Sequence, residues 1–234
     1  YDLDELPIPA WDLVPMKKYW EIARPHGGGL KEGNVAYAPV MFSRGCPYNC
    51  SYCSNYVVFK VSKQSKRLIT RIYSAQNALE LIKTNLKLGD FRSISFDDDI
   101  IGIDKEWNRE FFKLYKEEVG LPFKFYVRSE YVTEEFVQLV KEAGCYRVTF
   151  GLETGNYRLR KEILNKRTTD AMFIKTFKLF KKYDIEVNCT NIIAVPTETM
   201  KDTLLTIKFN AKYGVDHTLR GVFQPLPYTD LYDY

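Results

Sequence analysis

The chain has 234 residues, of which 45% are hydrophobic and 27% are charged, a composition typical of a soluble globular protein with one sizeable core. Its net charge of +4 is too small to indicate nucleic-acid binding by itself, and its apolar runs are too short to span a membrane. With five cysteines and no recognisable secretory leader, the protein is expected in the reducing cytoplasm and not among disulfide-bonded secreted proteins.

Residues 1–34 form the first predicted segment. They are rich in proline and contain three consecutive glycines, Gly27 to Gly29, so they are predicted to be a linker. Apolar residues such as Leu6, Trp11 and Leu13 indicate that this linker packs against another part of the protein. The remainder, residues 35–234, is predicted to be one domain.

From residue 35 onward, strand patterns alternate with helix patterns, which predicts parallel βα units. The helices are predicted from apolar residues at helical spacing and from caps such as Asp104 and Thr133. The six predicted strands are 35–42, 93–96, 123–128, 146–150, 186–195 and 219–223. Six such units predict an α/β fold, a partial (β/α)6 barrel.

Three cysteines, Cys46, Cys50 and Cys53, follow the first predicted strand at the spacing C-x3-C-x2-C. A loop this short can bring three thiolates around one inorganic cluster. Four-iron clusters usually have four cysteine ligands, so three would leave one iron open. The open iron could then bind and activate another molecule.

Other uses of these cysteines are less consistent with the sequence. A zinc site could be completed by a histidine, but only His26 and His217 are available, and neither lies at a usual finger spacing. A disulfide framework is disfavoured by the odd number of cysteines. A non-enzymatic iron–sulfur or zinc module, which would bind a partner through the basic segment 158–167, stays open as an alternative.

The string SRGCPYNCSYCS at residues 43–54, with Tyr52 just before the third cysteine, resembles the signature of the radical S-adenosylmethionine (radical SAM) superfamily. The resemblance implies a TIM-like partial barrel in which Cys46, Cys50 and Cys53 bind a [4Fe-4S] cluster. S-Adenosylmethionine (SAM) would chelate the fourth iron. Its reductive cleavage would yield a 5′-deoxyadenosyl radical.

The same string is similar to the branch whose members carry a cobalamin-binding domain, and residues 2–11 resemble the connector that follows that domain. The resemblance implies a cobalamin-dependent methyltransferase that acts on an unactivated carbon or phosphorus centre. A radical SAM cyclase, oxidoreductase or methylthiotransferase remains the alternative. The expected partners are a small-molecule or peptide substrate and an external electron donor of the flavodoxin or ferredoxin type, without membrane or nucleic acid.

Reactive groups of parallel barrels lie at the carboxyl ends of the strands. The resemblance places SAM contacts there, with Asp98 and Asp99 near the ammonium group and Lys166, ahead of Arg160, near the carboxylate. The full set of predicted cofactor-binding residues is Tyr52, Asp98, Asp99, Arg128, Glu153, Lys166 and Asn191.

The chain departs from the family pattern at two loops. Ala194 and Thr197 stand where the phrase G-L-P-G-E-T has glycines, and Tyr228 stands where P-G-T is typical. Bulk at these positions is expected to narrow the adenine pocket or reshape the substrate entrance. The remaining cysteines, Cys145 and Cys189, are predicted to pack in the core.

Overall fold

The computed structural model describes residues 2–15, 18, 37–62 and 70–234. Its main sheet has six parallel strands, which are β1 (Tyr37–Val40), β4 (Ser93–Ile101), β5 (Phe123–Val127), β6 (Cys145–Glu153), β7 (Glu186–Ile193) and β8 (His217–Val222). They lie next to one another in this order. The sheet curls into a half-barrel with β1 and β8 at its edges, which confirms the predicted partial (β/α)6 architecture. Two short antiparallel strands, β2 (Ser43–Arg44) and β3 (Arg71–Ile72), form a separate ribbon.

Two strands continue past their predicted ends into the candidate site. β4 runs to Ile101, with a register shift against β5 between Phe96 and Ile101, and β6 runs to Glu153. The predicted ends lie where the hydrophobic pattern stops. The polar residues that follow therefore lie in these strands although they interrupt the pattern.

The helices follow the strands as predicted, with one addition. They are α1 (Ser54–Ser62), α2 (Ala75–Leu86), α3 (Lys105–Glu118), α4 (Glu134–Glu142), α5 (Asp170–Lys182) and α6 (Met200–Lys212). Asp104 and Thr133 cap α3 and α4 through their side-chain oxygens, as predicted. Helix α1 was not predicted, because no clear helical periodicity follows the cysteine loop.

The core lies between the sheet and the outer helices. Phe42, which follows β1, and the strand residues Phe96 and Phe123 pack there against α3. On that helix, Trp107 and Phe111 stack at 4.5 Å between ring centroids. Cys145 and Cys189 are also buried in this layer, as predicted. The apolar layer therefore occupies the outside of the sheet, and the inner face is left for polar side chains.

The first residues of the predicted linker touch the barrel near α2. Leu3 is buried, and Asp4 Oδ1 accepts a hydrogen bond of 2.9 Å from the backbone N–H of Ser74. Leu6 and Leu13 are exposed. Most of the linker, including its three glycines, lies outside the described residues. None of the helices in the described ranges is long and apolar enough to cross a lipid bilayer.

Candidate active site

The loop that carries Cys46, Cys50 and Cys53 is held by hydrogen bonds to the segment that follows β6. Ser51 donates from its N–H to the carbonyl of Leu164 at 3.2 Å and from Oγ to the carbonyl of Ile163 at 2.5 Å. Asn165 donates from Nδ2 to the carbonyl of Asn49 at 3.0 Å. The loop therefore has a fixed position at the carboxyl end of the sheet.

The three thiols are free and at least partly buried. Burial raises the pKa of Cys46 to about 11 and also raises the pKa of Cys53. The thiolate forms of the neighbouring cysteines would raise the pKa of Cys46 further. Iron binding would therefore have to displace their protons, as it does at thiolate sites generally.

In the described ranges, no three or more His, Cys, Asp or Glu side chains are grouped closely enough to hold one metal ion. Each cysteine of a cluster site ligates a different iron atom, so such cysteines stand farther apart than the ligands of a single ion. Three neighbouring thiols on one ordered loop fit a cluster with three protein ligands.

Asp98 and Asp99 follow one another in β4, and Asp98 is buried whereas Asp99 is exposed, although both residues line the same cavity. Asp98 is buried, and its Oδ1 accepts hydrogen bonds from Phe42 N at 3.1 Å, Ser43 N at 2.6 Å and Ser43 Oγ at 2.5 Å. Burial raises the pKa of Asp98 to about 7 despite these bonds. Its side chain thus supports the start of the cysteine loop.

Asp99 is exposed on the inner side of the sheet. Its negative charge contributes to the raised pKa of Cys53, whereas Asp98 contacts the start of the cysteine loop directly. The contact of either aspartate with SAM stays a prediction.

Tyr52, Glu153 and Lys166 come together at one point. Tyr52 donates from its hydroxyl to Glu153 Oε1 at 3.0 Å, and Lys166 Nζ lies 2.9 Å from the same oxygen. Glu153 and Lys166 are both buried. Burial, together with the negative charge of Glu153, raises the pKa of Tyr52 well above its usual value. Three of the predicted cofactor-binding residues therefore form one hydrogen-bonded group next to the cysteine loop.

This group depends on a glycine in β6. A Cβ atom added to Gly151 would lie 1.8 Å from Glu153 Oε1 and 2.5 Å from Lys166 Nζ. Glu153 itself has a positive φ of 63°, an uncommon conformation for a non-glycine residue. The end of β6 is thus shaped to bring the Glu153 carboxylate back over Gly151.

A π-helical turn, Leu159–Ile163, positions Lys166. Such turns are rare and are frequent at functional sites. Within the basic stretch 158–167, Lys166 is buried and faces the site. Arg160, the second choice for the SAM carboxylate, is also buried but is hydrogen-bonded to other groups. Arg160 donates to the carbonyls of Thr154 at 2.6 Å and Thr168 at 3.3 Å and pairs with Asp170. Its role is to hold this segment together.

Arg128 lies under the cysteine loop. Its guanidinium pairs with Glu130 at 2.7 Å and stacks on the ring of Tyr48, with Cζ 3.6 Å from the ring centroid. Its Nη1 is 3.5 Å from Cys50 Sγ. Although burial alone would raise the pKa of Glu130, its hydrogen bonds to Arg128 and Thr168 lower that pKa overall. Arg128 and Glu130 therefore form an ion pair beside a predicted cluster ligand.

Asn191 pairs with Glu153 in the sheet, but its side chain contacts another part of the protein. Its Oδ1 accepts a hydrogen bond of 3.0 Å from Asn210 Nδ2 on α6, on the helix side of the sheet. Asn188, three residues earlier in β7, lines the inner face instead. The two-residue period of the strand separates them, so the expectation that Asn191 contacts the cofactor has no support from its contacts.

The three positions where the family pattern has glycine all have positive φ. The angles are 61° at Ala194, 66° at Thr197 and 67° at Tyr228. Glycine adopts this conformation without a steric penalty, and other residues do not. The loops therefore keep the positive φ angles that suit the glycines of the family pattern. Because Ala194, Thr197 and Tyr228 carry side chains, these backbone conformations are strained.

The inner face of the sheet lines a polar cavity of about 880 Å³. Asn188 is 9% exposed, donates to Thr149 Oγ1 at 3.3 Å, and has an Oδ1 atom without a hydrogen-bond partner among the described residues. Charged and aromatic side chains complete the lining, among them Asp97, Asp99, Lys124, Tyr126, Arg147 and His217.

Sequence reasoning missed the residues that support this site, namely Glu130, Tyr48, Ser51 and Gly151. Glu130 and Tyr48 lie close to predicted residues in sequence, but their contacts with Arg128 join the end of β5 to the cysteine loop. Periodicity and spacing carry no signal for contacts of this kind. A glycine inside a strand does signal a close approach, and Gly151 could have been found in that way.

Comparison with known proteins agrees with this geometry. A model of the radical SAM superfamily matches residues 40–209. An uncharacterized methyltransferase of Pyrococcus horikoshii is 32% identical over the whole chain, which covers 47% of that protein. The cytidylyl-2-hydroxyethylphosphonate methyltransferase of Streptomyces wedmorensis is 30% identical over 83% of the chain, which covers 35% of that protein.

Among solved structures, the radical SAM methyltransferase TsrM of Kitasatospora setae, with cobalamin and a [4Fe-4S] cluster bound, has the same fold. The TM-score is 0.71 at 15% identity, and the match covers 85% of this chain and 36% of that one. The chain thus spans less than half the length of these relatives. The family model matches more than half of the chain, which shows that the chain belongs to the radical SAM superfamily.

Proposed function

We propose that this domain binds a [4Fe-4S] cluster through Cys46, Cys50 and Cys53 and SAM through the neighbouring polar residues. One observation carries the proposal: the loop with the three thiols is joined directly to the buried group of Tyr52, Glu153 and Lys166. When bound, the cluster and SAM supply a reductive cleavage that gives a 5′-deoxyadenosyl radical. The chain contributes the ligands, the orientation of SAM and the exclusion of water.

The polar group can recognise both charges of the methionyl moiety. Lys166 is a cation that suits a carboxylate, and Glu153 and Asp99 are acceptors that suit an ammonium group or ribose hydroxyls. Glu153 Oε1 already accepts from Tyr52 and Lys166, so the pair is oriented before any ligand arrives. A preorganised ion pair of this kind loses little conformational freedom on binding.

The proposed activity of the whole protein is cobalamin-dependent methyl transfer to an unactivated carbon or phosphorus centre. Its support is the similarity to curated relatives named as methyltransferases and to a methyltransferase whose structure has cobalamin bound. Residues 1–34 would then be the connector from a cobalamin-binding domain. The electron for SAM cleavage would come from an external donor of the flavodoxin or ferredoxin type.

The polar cavity supports a polar substrate. Asn188 offers an unpartnered and nearly buried Oδ1, and charged side chains surround it. Burying the Asn188 Oδ1 atom under a flat apolar molecule would leave it without a hydrogen bond, at a cost of about 1–3 kcal/mol. A substrate with hydrogen-bonding groups avoids that penalty.

The test is an anaerobic assay of the full-length protein, reconstituted with its cluster and cobalamin, in the presence of a strong reductant and of SAM labelled in its methyl group. The proposal expects 5′-deoxyadenosine and transfer of the label to a polar acceptor from a metabolite extract. Formation of 5′-deoxyadenosine without any transfer of the label would favour a cyclase or oxidoreductase. A protein with a complete cluster and neither product would favour a non-enzymatic module.

A further inference from the structure

The guanidinium of Arg128 is aimed at one of the three site thiols. Arg128 directly follows β5, and its Nη1 lies 3.5 Å from Cys50 Sγ, within the range of a hydrogen bond to sulfur. The Arg128 side chain is only 11% exposed, so water screens its charge poorly.

The other donors of this guanidinium are already used. Its Nε and Nη2 donate to the two carboxylate oxygens of Glu130 at 3.3 and 2.7 Å, and Nη2 also donates to Thr168 Oγ1 at 3.3 Å. Thr168 in turn donates to Glu130 Oε1 at 2.6 Å. The ring of Tyr48, which belongs to the cysteine loop, covers one face of the guanidinium. Nη1 is therefore directed at Cys50 by the contacts of Nε, Nη2 and one face of the guanidinium.

We propose that Arg128 is a positioning residue that raises the reduction potential of the cluster by donating a hydrogen bond to the Cys50 sulfur, and that Glu130 partly offsets this effect. The inference rests on the cluster of the proposed function. It reassigns Arg128, whose sequence pattern predicts a contact with SAM, to the sulfur that it approaches.

The physical basis is electrostatic. Reduction adds one electron, taken from an external low-potential donor, and neither forms nor breaks a bond. A nearby positive charge and a hydrogen bond to a ligand sulfur stabilise the reduced, more negative form. The negative charge of the Glu130 carboxylate, 2.7 Å from the same guanidinium, opposes this stabilisation. Arg128 and Glu130 thus set how readily the external donor can reduce the cluster.

Two substitutions should shift the potential in opposite directions. Arg128→Gln removes the charge and should move the potential to a more negative value. Glu130→Gln keeps the shape of the side chain, removes the opposing charge and should move the potential to a more positive value. Arg128→Lys keeps the positive charge but lacks the forked geometry of the guanidinium. Its reduction potential should lie between those of Arg128→Gln and the wild type. Loss of packing alone would not produce opposite signs.

The experiment is an anaerobic redox titration of the reconstituted protein, followed by the electron paramagnetic resonance signal of the reduced cluster. It is carried out without SAM and then with SAM. Iron and sulfide analyses establish the cluster content of each variant. Arg92→Gln, which removes an exposed arginine before β4, is the matched control and should leave the potential unchanged. If Arg128→Gln binds no cluster, Arg128→Lys and Glu130→Gln carry the comparison.

The expected result is the opposite pair of shifts in the protein without SAM. Equal potentials in fully loaded variants would overturn the role of Arg128 and leave the cluster assignment intact. A shift that appears only with SAM would also overturn it, since Arg128 would then act through SAM. A wild-type protein that takes up no iron would instead overturn the proposed function itself.

Discussion

Tyr52 donates a hydrogen bond of 3.0 Å to Glu153, and this bond connects the cysteine loop to the end of β6. The two residues are 101 positions apart in the chain. The same Glu153 oxygen accepts a hydrogen bond from Lys166 Nζ, so one carboxylate orients both the loop residue Tyr52 and the buried cation Lys166.

The Glu153 and Lys166 pair should behave as a coupled buried unit. Glu153→Gln or Lys166→Met each leaves one buried charge without its partner, which should lower the free energy of unfolding by about 3–5 kcal/mol. The double variant should lose less than the sum of the two single losses. Urea unfolding of all four proteins gives the coupling energy. Strictly additive losses would show that the pair does not act as a unit.

Gly151→Ala should disrupt the same group by steric overlap. The added Cβ would lie 1.8 Å from Glu153 Oε1, so the carboxylate must move, at a cost of about 1–3 kcal/mol in stability. The affinity for SAM, measured by equilibrium dialysis, should fall as well. Gly221→Ala in β8 is the matched control, because a Cβ there meets nothing within 4 Å. Equal behaviour of the two variants would argue against the close approach at Gly151.

Alanine at Cys46, Cys50 or Cys53 should abolish binding of the four-iron cluster. The same substitution at Cys145 or Cys189 should leave the iron and sulfide content unchanged, because these thiols are buried in the core. Chemical analysis of iron and sulfide after anaerobic reconstitution distinguishes the two groups. A variant of the first group that retains a complete cluster would contradict the ligand assignment.

Thr197→Gly should stabilise the protein. Thr197 has a φ of 66°, and glycine relieves strain of this kind by about 1 kcal/mol, less the entropy that glycine adds to the unfolded chain. Thr203→Gly makes the same substitution inside α6, where it should lower the stability. Thermal unfolding of both variants checks the prediction. A loss of stability at both positions would show that the hydrogen bond of 3.4 Å from Arg158 Nη2 to Thr197 Oγ1 outweighs the strain.

The stability of the protein without its cluster should depend on the ionisation of Asp98. Burial raises the pKa of this carboxyl from its usual 3.8 to about 7 in the folded state, so the folded protein binds more protons than the unfolded one between these values. The contribution of Asp98 to stability should therefore fall as the pH rises from 4 to 7 and then stay constant.

Asp98→Asn removes this ionisation and keeps an acceptor for the N–H groups of Phe42 and Ser43. The loss of unfolding free energy between pH 5 and pH 8 should be smaller in this variant than in the wild type. Identical losses in urea titrations at the two pH values would show that Asp98 does not titrate in this range.

Much of the fold follows from the sequence, because alternation of strands and helices, caps and glycines are local signals. Asp104 and Thr133 mark their helices correctly for this reason. The faces of Asp98 and Asp99 could not be assigned, since their strand was predicted to end at Phe96. The contact between Arg128 and Cys50 was equally inaccessible, because 78 positions separate the two residues. Contacts at that distance depend on how the strands pair, which local patterns do not encode.

The central claim is that three cysteines hold a cluster whose fourth iron is open to SAM. Electron–nuclear double resonance of the reduced protein tests it most directly, with SAM labelled by nitrogen-15 in the amino group and oxygen-17 in the carboxylate. We expect hyperfine coupling from both labels, which requires the methionyl group to be bound to the iron. A fully loaded cluster that binds SAM without coupling to either label would contradict the account.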